Sequence, residues 1–224
     1  LNSEQLLFQP SHIEVHAGRL LHHIVRDYYR SEFVSQPHRR LIEIYERLAP
    51  KSAAWRDDLR GEGRVLTALR VFAHSRAVRL RALGLEVGCR YWFGEKLFTG
   101  QADLVYESDE TPGACGILEF KLNDVEVRSE DPADKFLQCI LYYLGLPEQF
   151  RDSCEKATIY IFDTGEQMET RIEQPLVDRA IRIIEETLPH AKGPDFPPTI
   201  NPFCPSCGYQ NLCPAYSQLH LKRA

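Results

Sequence analysis

The sequence predicts an α/β domain built on a mixed sheet, and three observations predict it. Apolar residues first recur at helical spacing, and from Leu85 onward they alternate instead. Two short apolar runs, Cys115 to Leu122 and Ala157 to Phe162, bracket a helical stretch. Helices, strands, a helix, strands and a last helix give a central sheet flanked by helices.

The first element expected is a helix from about Glu14 to Tyr29. Ala17, Leu20, Leu21, Ile24 and Tyr28 form its apolar stripe, with His22 at the border. A solitary histidine in that setting is ordinarily structural. Pro37 breaks the pattern, and a short helix from Arg39 to Leu48 ends before Pro50. A long helical tract follows from about Trp55 to Ala82, weakened by Gly61 and Gly63. It carries Arg56, Arg60, Arg64, Arg70, Arg76, Arg79 and Arg81. With Asp57, Asp58 and Glu62 between them, these arginines read either as a solvated face or as a track for a phosphate backbone.

Val87, Cys89, Tyr91 and Phe93 alternate with Gly88, Arg90 and Trp92, and Gly94-Glu95 turns the chain into a second strand, Lys96 to Tyr106. After a polar loop from Glu107 to Gly113 comes the strand Cys115 to Leu122, then a helix from about Ala133 to Leu144. Gln138 and Tyr142 are four apart and share a face of that helix. A strand at Ala157 to Phe162, a turn at Thr164-Gly165, a short strand near Met168 to Ile172 and a helix from Pro175 to Leu188 complete the core.

The net charge of −5 gives no global basic signal, so any nucleic-acid contact must rest on a local patch. No apolar run approaches the roughly 20 residues of a membrane span, and no signal-like segment opens the sequence. Seven cysteines, three of them crowded near the C-terminus, suit a metal site in a reducing compartment better than a disulfide framework. A cytoplasmic location is expected on that basis.

The chemistry concentrates between Thr99 and Tyr142. Glu119 and Lys121 alternate with Leu118, Phe120 and Leu122, so the two charged side chains share one face of a strand and the three apolar ones the other. An aspartate on a neighbouring strand, Asp103, would bring a second carboxylate to them at a sheet edge. Two carboxylates hold a hard divalent cation through oxygen, and an amine beside them adds positive charge where a phosphodiester develops negative charge during hydrolysis. Magnesium or manganese fits such a site, and a histidine nitrogen would favour manganese.

Beyond the proline-rich span Pro194 to Pro202, Cys204, Cys207 and Cys213 have the spacing of a metal or cluster site. His220 would complete a zinc tetrahedron. A cysteine upstream of Leu1 would serve equally if the natural chain is longer, whereas Cys89 on a strand is expected to pack in the core.

These pieces together resemble the PD-(D/E)xK nuclease superfamily, and within it the RecB-like exonucleases, including those associated with CRISPR spacer acquisition. The resemblance runs through Gly18-Arg19-Leu20-Leu21-His22, Gly100-Gln101-Ala102-Asp103, Glu119-Phe120-Lys121, Gln138 to Tyr142 and the terminal cysteines. It implies a restriction-endonuclease-like core with a central mixed sheet. Residues 1–84 would form a helical N-terminal region, 85–192 the nuclease core and 193–224 a cysteine-cluster segment, all in one compact unit. It also implies metal binding by His22, Asp103, Glu119 and the backbone carbonyl of Phe120. Lys121 would orient water or steady phosphorane charge, and Gln138 and Tyr142 would position the lysine, the water or the phosphate. Cys204, Cys207 and Cys213 would be three ligands of a 4Fe–4S cluster, with zinc as the alternative; the family's usual first cysteine, before the histidine helix, is absent here.

The expected activity is therefore a metal-dependent DNA nuclease, a single-strand exonuclease of repair, recombination or CRISPR spacer acquisition. Two other readings stay open at this point: a catalytically silent nuclease-fold module that binds DNA or a helicase partner, and a zinc-ribbon-like interaction protein.

Overall fold

The structure is a computed structural model that describes residues 11–31, 35–49, 59–123, 129–189 and 213. Helix α1 (Ser11–Arg30) buries Ala17, Leu20, Leu21, Ile24 and Val25 on one stripe, as its 3.6-residue spacing requires. Helix α2 (Pro37–Leu48) begins on Pro37, which occupies the first turn, where its missing N–H costs nothing. The expected tract from Trp55 to Ala82 is shorter and broken: a π-helical turn at Leu59–Gly63 runs into α3 (Arg64–His74), and a 3-10 turn follows at Ala77–Arg79. Ser75 ends α3 by bonding the Phe72 carbonyl through both its N–H and its hydroxyl. Residues 51–58, with Arg56, lie outside the described residues.

Strands β1 (Ala82–Phe93), β2 (Lys96–Glu107), β3 (Cys115–Lys121), β4 (Cys154–Ile161) and β5 (Gln167–Arg171) form one sheet in sequence order. Only the β3–β4 pair is parallel, and the connection between them carries helical turns at Pro132–Lys135 and Glu148–Arg151 around α4 (Leu137–Gly145). Helix α5 (Gln174–Thr187) closes the described core. The expected helix from Ala133 to Leu144 is interrupted at Phe136, with φ −100° and ψ 13°, but Gln138 and Tyr142 share its second piece.

The sheet lies between two helical layers. Leu104, Leu118, Phe120, Tyr160 and Phe162 pack against α1, α2 and α3. Ile159, Ile161 and Ala157 meet Ile140 of α4 and Val177 of α5 on the other face. β3 is the middle strand, which corrects the expectation that Glu119 and Lys121 stand at a sheet edge. Leu118 and Ile117 are both fully buried, so the run from Cys115 to Phe120 reads as an interior strand covered on both faces. Among the described residues, no helix is long and apolar enough to cross a membrane.

Candidate active site

β2 pairs with β3 only from Leu104 to Glu107, while its pairing with β1 continues out to Lys96. Asp103 is therefore the first residue of β2 past the split. There its Oδ2 accepts a hydrogen bond at 2.9 Å from the Phe120 N–H, a donor that no longer has a β2 carbonyl opposite it. The N–H and C=O of one strand residue point to the same flank, so the Phe120 carbonyl lies on the Asp103 side. The Lys121 carbonyl goes the other way, to the Phe162 N–H at 2.8 Å.

The other carboxylate oxygen, Asp103 Oδ1, is 3.3 Å from His22 Nδ1. Helix α1 carries His22 there because Leu21 and Ile24 anchor its stripe in the core. Phe120 and Phe162 stand edge-on to the imidazole, at centroid distances of 6.2 and 6.4 Å. Burial pulls the His22 pKa down. The hydrogen bond to Asp103 and the charges of Asp103 and Glu119 outweigh burial, and the net pKa lies above the ordinary histidine value.

Glu119 is 5% exposed, and its Oε2 is buried without a hydrogen-bond partner among the described residues. Its pKa is pushed up to about 8, first by burial and then by the charge of Asp103, against the opposing pull of Lys121 and His22. An orphaned, buried carboxylate oxygen beside a second carboxylate is costly unless a proton or a cation relieves it. Lys121 Nζ lies 3.3 Å from Glu119 Oε1 and donates at 2.6 Å to Gln138 Oε1. Gln138 Nε2 in turn donates at 2.6 Å to the Tyr142 hydroxyl.

The structure thus brings His22, Asp103, Glu119, Lys121, Gln138 and Tyr142 into one connected cluster. The donor set suits a hard divalent cation: two carboxylates, one of them with a free buried oxygen, plus an adjacent main-chain carbonyl. Among the described residues, no three His, Cys, Asp or Glu side chains already converge as a complete shell. Asp103 is turned to the Phe120 N–H and His22, and Glu119 to Lys121, so binding would require these side chains to re-aim.

Other candidates fare differently. Cys204 and Cys207, like His220, lie outside the described residues; Cys213 is half-buried. Cys89 is buried in the core as expected. Three of the arginines weighed as phosphate contacts are held by acids: Arg64 by Asp163 with Nε–Oδ1 2.8 Å, Arg76 by Asp109 at 2.6 Å and Arg81 by Glu107 at 2.7 Å. The solvated-face reading fits Arg76 and Arg81, whereas the Arg64–Asp163 pair is half-buried.

Sequence reasoning missed two features. A Cβ on Gly100 would stand 2.5 Å from Cε1 of Tyr142, so the tyrosine ring lies on the bare Cα of Gly100. The Gly100 of the Gly-Gln-Ala-Asp stretch is the only trace of that contact in the sequence. Glu86, between the register pairs flanking Asp103, has φ 49° and is held by Arg26 at 3.2 Å and Arg30 at 3.7 Å. Nothing local in the sequence announces that left-handed residue.

A family model described as the PD-(D/E)XK nuclease superfamily matches residues 3–214. No curated protein matches the chain. A solved structure described as "Crystal structure of SSO0001" is similar over 90% of this chain and 97% of its own, at 17% identity and a TM-score of 0.42.

Proposed function

The chain belongs to the PD-(D/E)XK nuclease superfamily, and from that premise we propose that it is a divalent-metal-dependent nuclease that hydrolyses DNA phosphodiesters, acting exonucleolytically on single-stranded ends. The observation that carries this reading is the buried, unpartnered Glu119 Oε2 beside Asp103, with the Lys121 ammonium at the other oxygen of the same carboxylate. His22, Asp103, Glu119 and the Phe120 carbonyl would hold Mg2+ or Mn2+. When bound, the cation neutralises the scissile phosphate and acidifies a water.

The protein's own side chains supply the rest. Lys121, held by Gln138, keeps its ammonium pointed at the space beside Glu119, where it stabilises negative charge growing on phosphate oxygen. Tyr142 fixes the Gln138 amide, so the lysine has one preferred position rather than several. The Phe120 N–H and His22 each hold one oxygen of Asp103 in the metal-free protein, and one of these bonds would give way when the carboxylate re-aims to the cation.

The motif order supports a RecB-like assignment, and with it work in repair, recombination or CRISPR spacer acquisition beside a helicase that supplies single strands. The spacing of Cys204, Cys207 and Cys213 supports a 4Fe–4S cluster, with Zn2+ as the alternative. Iron analysis and visible absorption of the purified protein separate the two.

The test is cleavage of end-labelled single- and double-stranded DNA, with free and blocked ends, in Mn2+. Free single-stranded ends are shortened by the wild type and left whole in EDTA or by Asp103→Ala. Labelled DNA left whole by the wild type, or cut equally by Asp103→Ala, sinks the reading.

A further inference from the structure

Beyond Asp103, β1 and β2 continue as a two-stranded arm that β3 does not accompany. Its length from Asp103 to Leu97 is about 20 Å at ~3.3 Å per residue. Helix α4 covers one face of the arm. A Cβ on Gly145 would meet the Arg90 backbone nitrogen at 2.6 Å, and the Tyr142 ring rests on Gly100 opposite the buried Cys89.

Among the described residues, no element packs on the other face. Its cross-strand pairs are Gly88 with Gln101, Arg90 with Thr99 and Trp92 with Leu97, and all six residues are exposed. Trp92 is 63% exposed and Leu97 44%. Between Gly88 and Gln101 the one acid is Glu95 in the turn, against Arg90 and Lys96.

We propose that this exposed face is a platform for single-stranded nucleic acid, on which a base stacks against Trp92 while Arg90 takes a backbone phosphate and Thr99 and Gln101 lead the strand to Asp103. The composition decides between partners. Two apolar side chains are too few for the desolvated centre of a protein interface, which buries about 800 Å² on each side. One exposed indole beside a guanidinium and two uncharged hydrogen-bonding side chains is what a sequence-tolerant stacking surface needs. The face also begins at the residue where the scissile phosphate would lie, so polymer held on it is already aligned with the site. The proposal rests on the nuclease reading of the Asp103 cluster, and its test keeps the two apart.

Trp55 is the only other tryptophan, so a Trp55→Phe background isolates Trp92 fluorescence. Oligothymidylate added in EDTA should quench it, and Arg90→Ala should weaken the titration about tenfold. In Mn2+, Trp92→Ala should raise KM for oligothymidylate about tenfold, while Trp92→Phe restores most of the loss. The rate ratio of oligonucleotide to bis-p-nitrophenyl phosphate should fall by a similar factor. Quenching without any cleavage by the wild type keeps the platform and removes the nuclease reading. Cleavage by Trp92→Ala with wild-type KM, or an unquenched Trp92, overturns the platform and leaves the nuclease reading standing.

Discussion

The ring of Tyr142 lies on the Cα of Gly100, so close that a β-carbon there would stand 2.5 Å from Cε1. The contact ties α4 to the arm and aims the Tyr142 hydroxyl at Gln138. Gly100→Ala must push the ring aside, and the displacement passes through Gln138 to Lys121. The expected result is a loss of about 1–3 kcal/mol in stability and about a tenfold fall in kcat. Thermal melts and single-turnover cleavage measure the two. A Gly100→Ala protein with wild-type kcat would show that the ring position does not matter to the lysine.

Glu119 sets the pH dependence of the metal-free protein. Burial and the charge of Asp103 push its folded pKa up to about 8, from the ordinary glutamate value of 4.5. A raised carboxyl pKa means that the folded state holds the proton more tightly. Its favourable contribution is therefore fully present below about pH 4.5 and is lost as pH rises to about 8. Glu119→Gln should remove that slope and make the metal-free protein about 2–4 kcal/mol more stable at pH 8.5, while abolishing cleavage. Denaturant titrations across pH 5–8.5 give the slope, and equal slopes in the two proteins would contradict the burial argument.

Cation binding should release protons near neutral pH. The half-buried His22 is held above its ordinary pKa chiefly by the hydrogen bond to Asp103, and the pKa of Glu119 is pushed up to about 8. Both groups bind a cation only when deprotonated. Affinity for Mn2+ should therefore strengthen from pH 6 to pH 8.5, and cleavage with it. Calorimetry in two buffers of different ionisation enthalpy counts the protons released. An affinity that does not change with pH would remove His22 and Glu119 from the ligand set together.

A control belongs in the core. Phe72 is fully buried and meets Phe120, Tyr160 and Phe162 edge-on at 5.3–5.9 Å, in the packing that seats β3 against α1. Phe72→Ala should cost about 3–5 kcal/mol and shift the denaturant midpoint. At a temperature where the variant is still folded it should cleave within a few-fold of wild type, because none of the connected polar side chains is removed.

Much of this was legible in residue order. The parity of Leu118, Glu119, Phe120 and Lys121 gave the two faces of β3, and the stripe from Ala17 to Tyr28 gave the seat of His22, because both follow from backbone periodicity alone. The central position of β3 was missed because Glu119, Lys121 and Asp103 were expected to meet at a sheet edge, although the residues around Glu119 are apolar on both faces. The contact of Tyr142 on Gly100 was illegible for another reason. It depends on how a distant helix lies on the arm, and no local pattern reports that. The break at Phe136 and the left-handed Glu86 were likewise hidden, since neither position has the glycine or proline that usually marks such backbone.

The connected bonds from Lys121 to Gln138 to Tyr142 yield the sharpest test of positioning. Gln138 takes the lysine at 2.6 Å and is itself fixed at 2.6 Å by Tyr142. Gln138→Leu preserves the helix and removes the 2.6 Å bond to the ammonium, while the longer one to Glu119 at 3.3 Å stays, so kcat should fall about 10- to 100-fold with KM little changed. Tyr142→Phe keeps the ring on Gly100 and removes only the hydroxyl, so its loss should be several-fold smaller. If Tyr142 acts solely by holding Gln138, the double variant is no worse than Gln138→Leu, because the second change removes a support whose object is already gone. Independent, multiplying losses would instead mean that the Tyr142 hydroxyl touches the substrate itself.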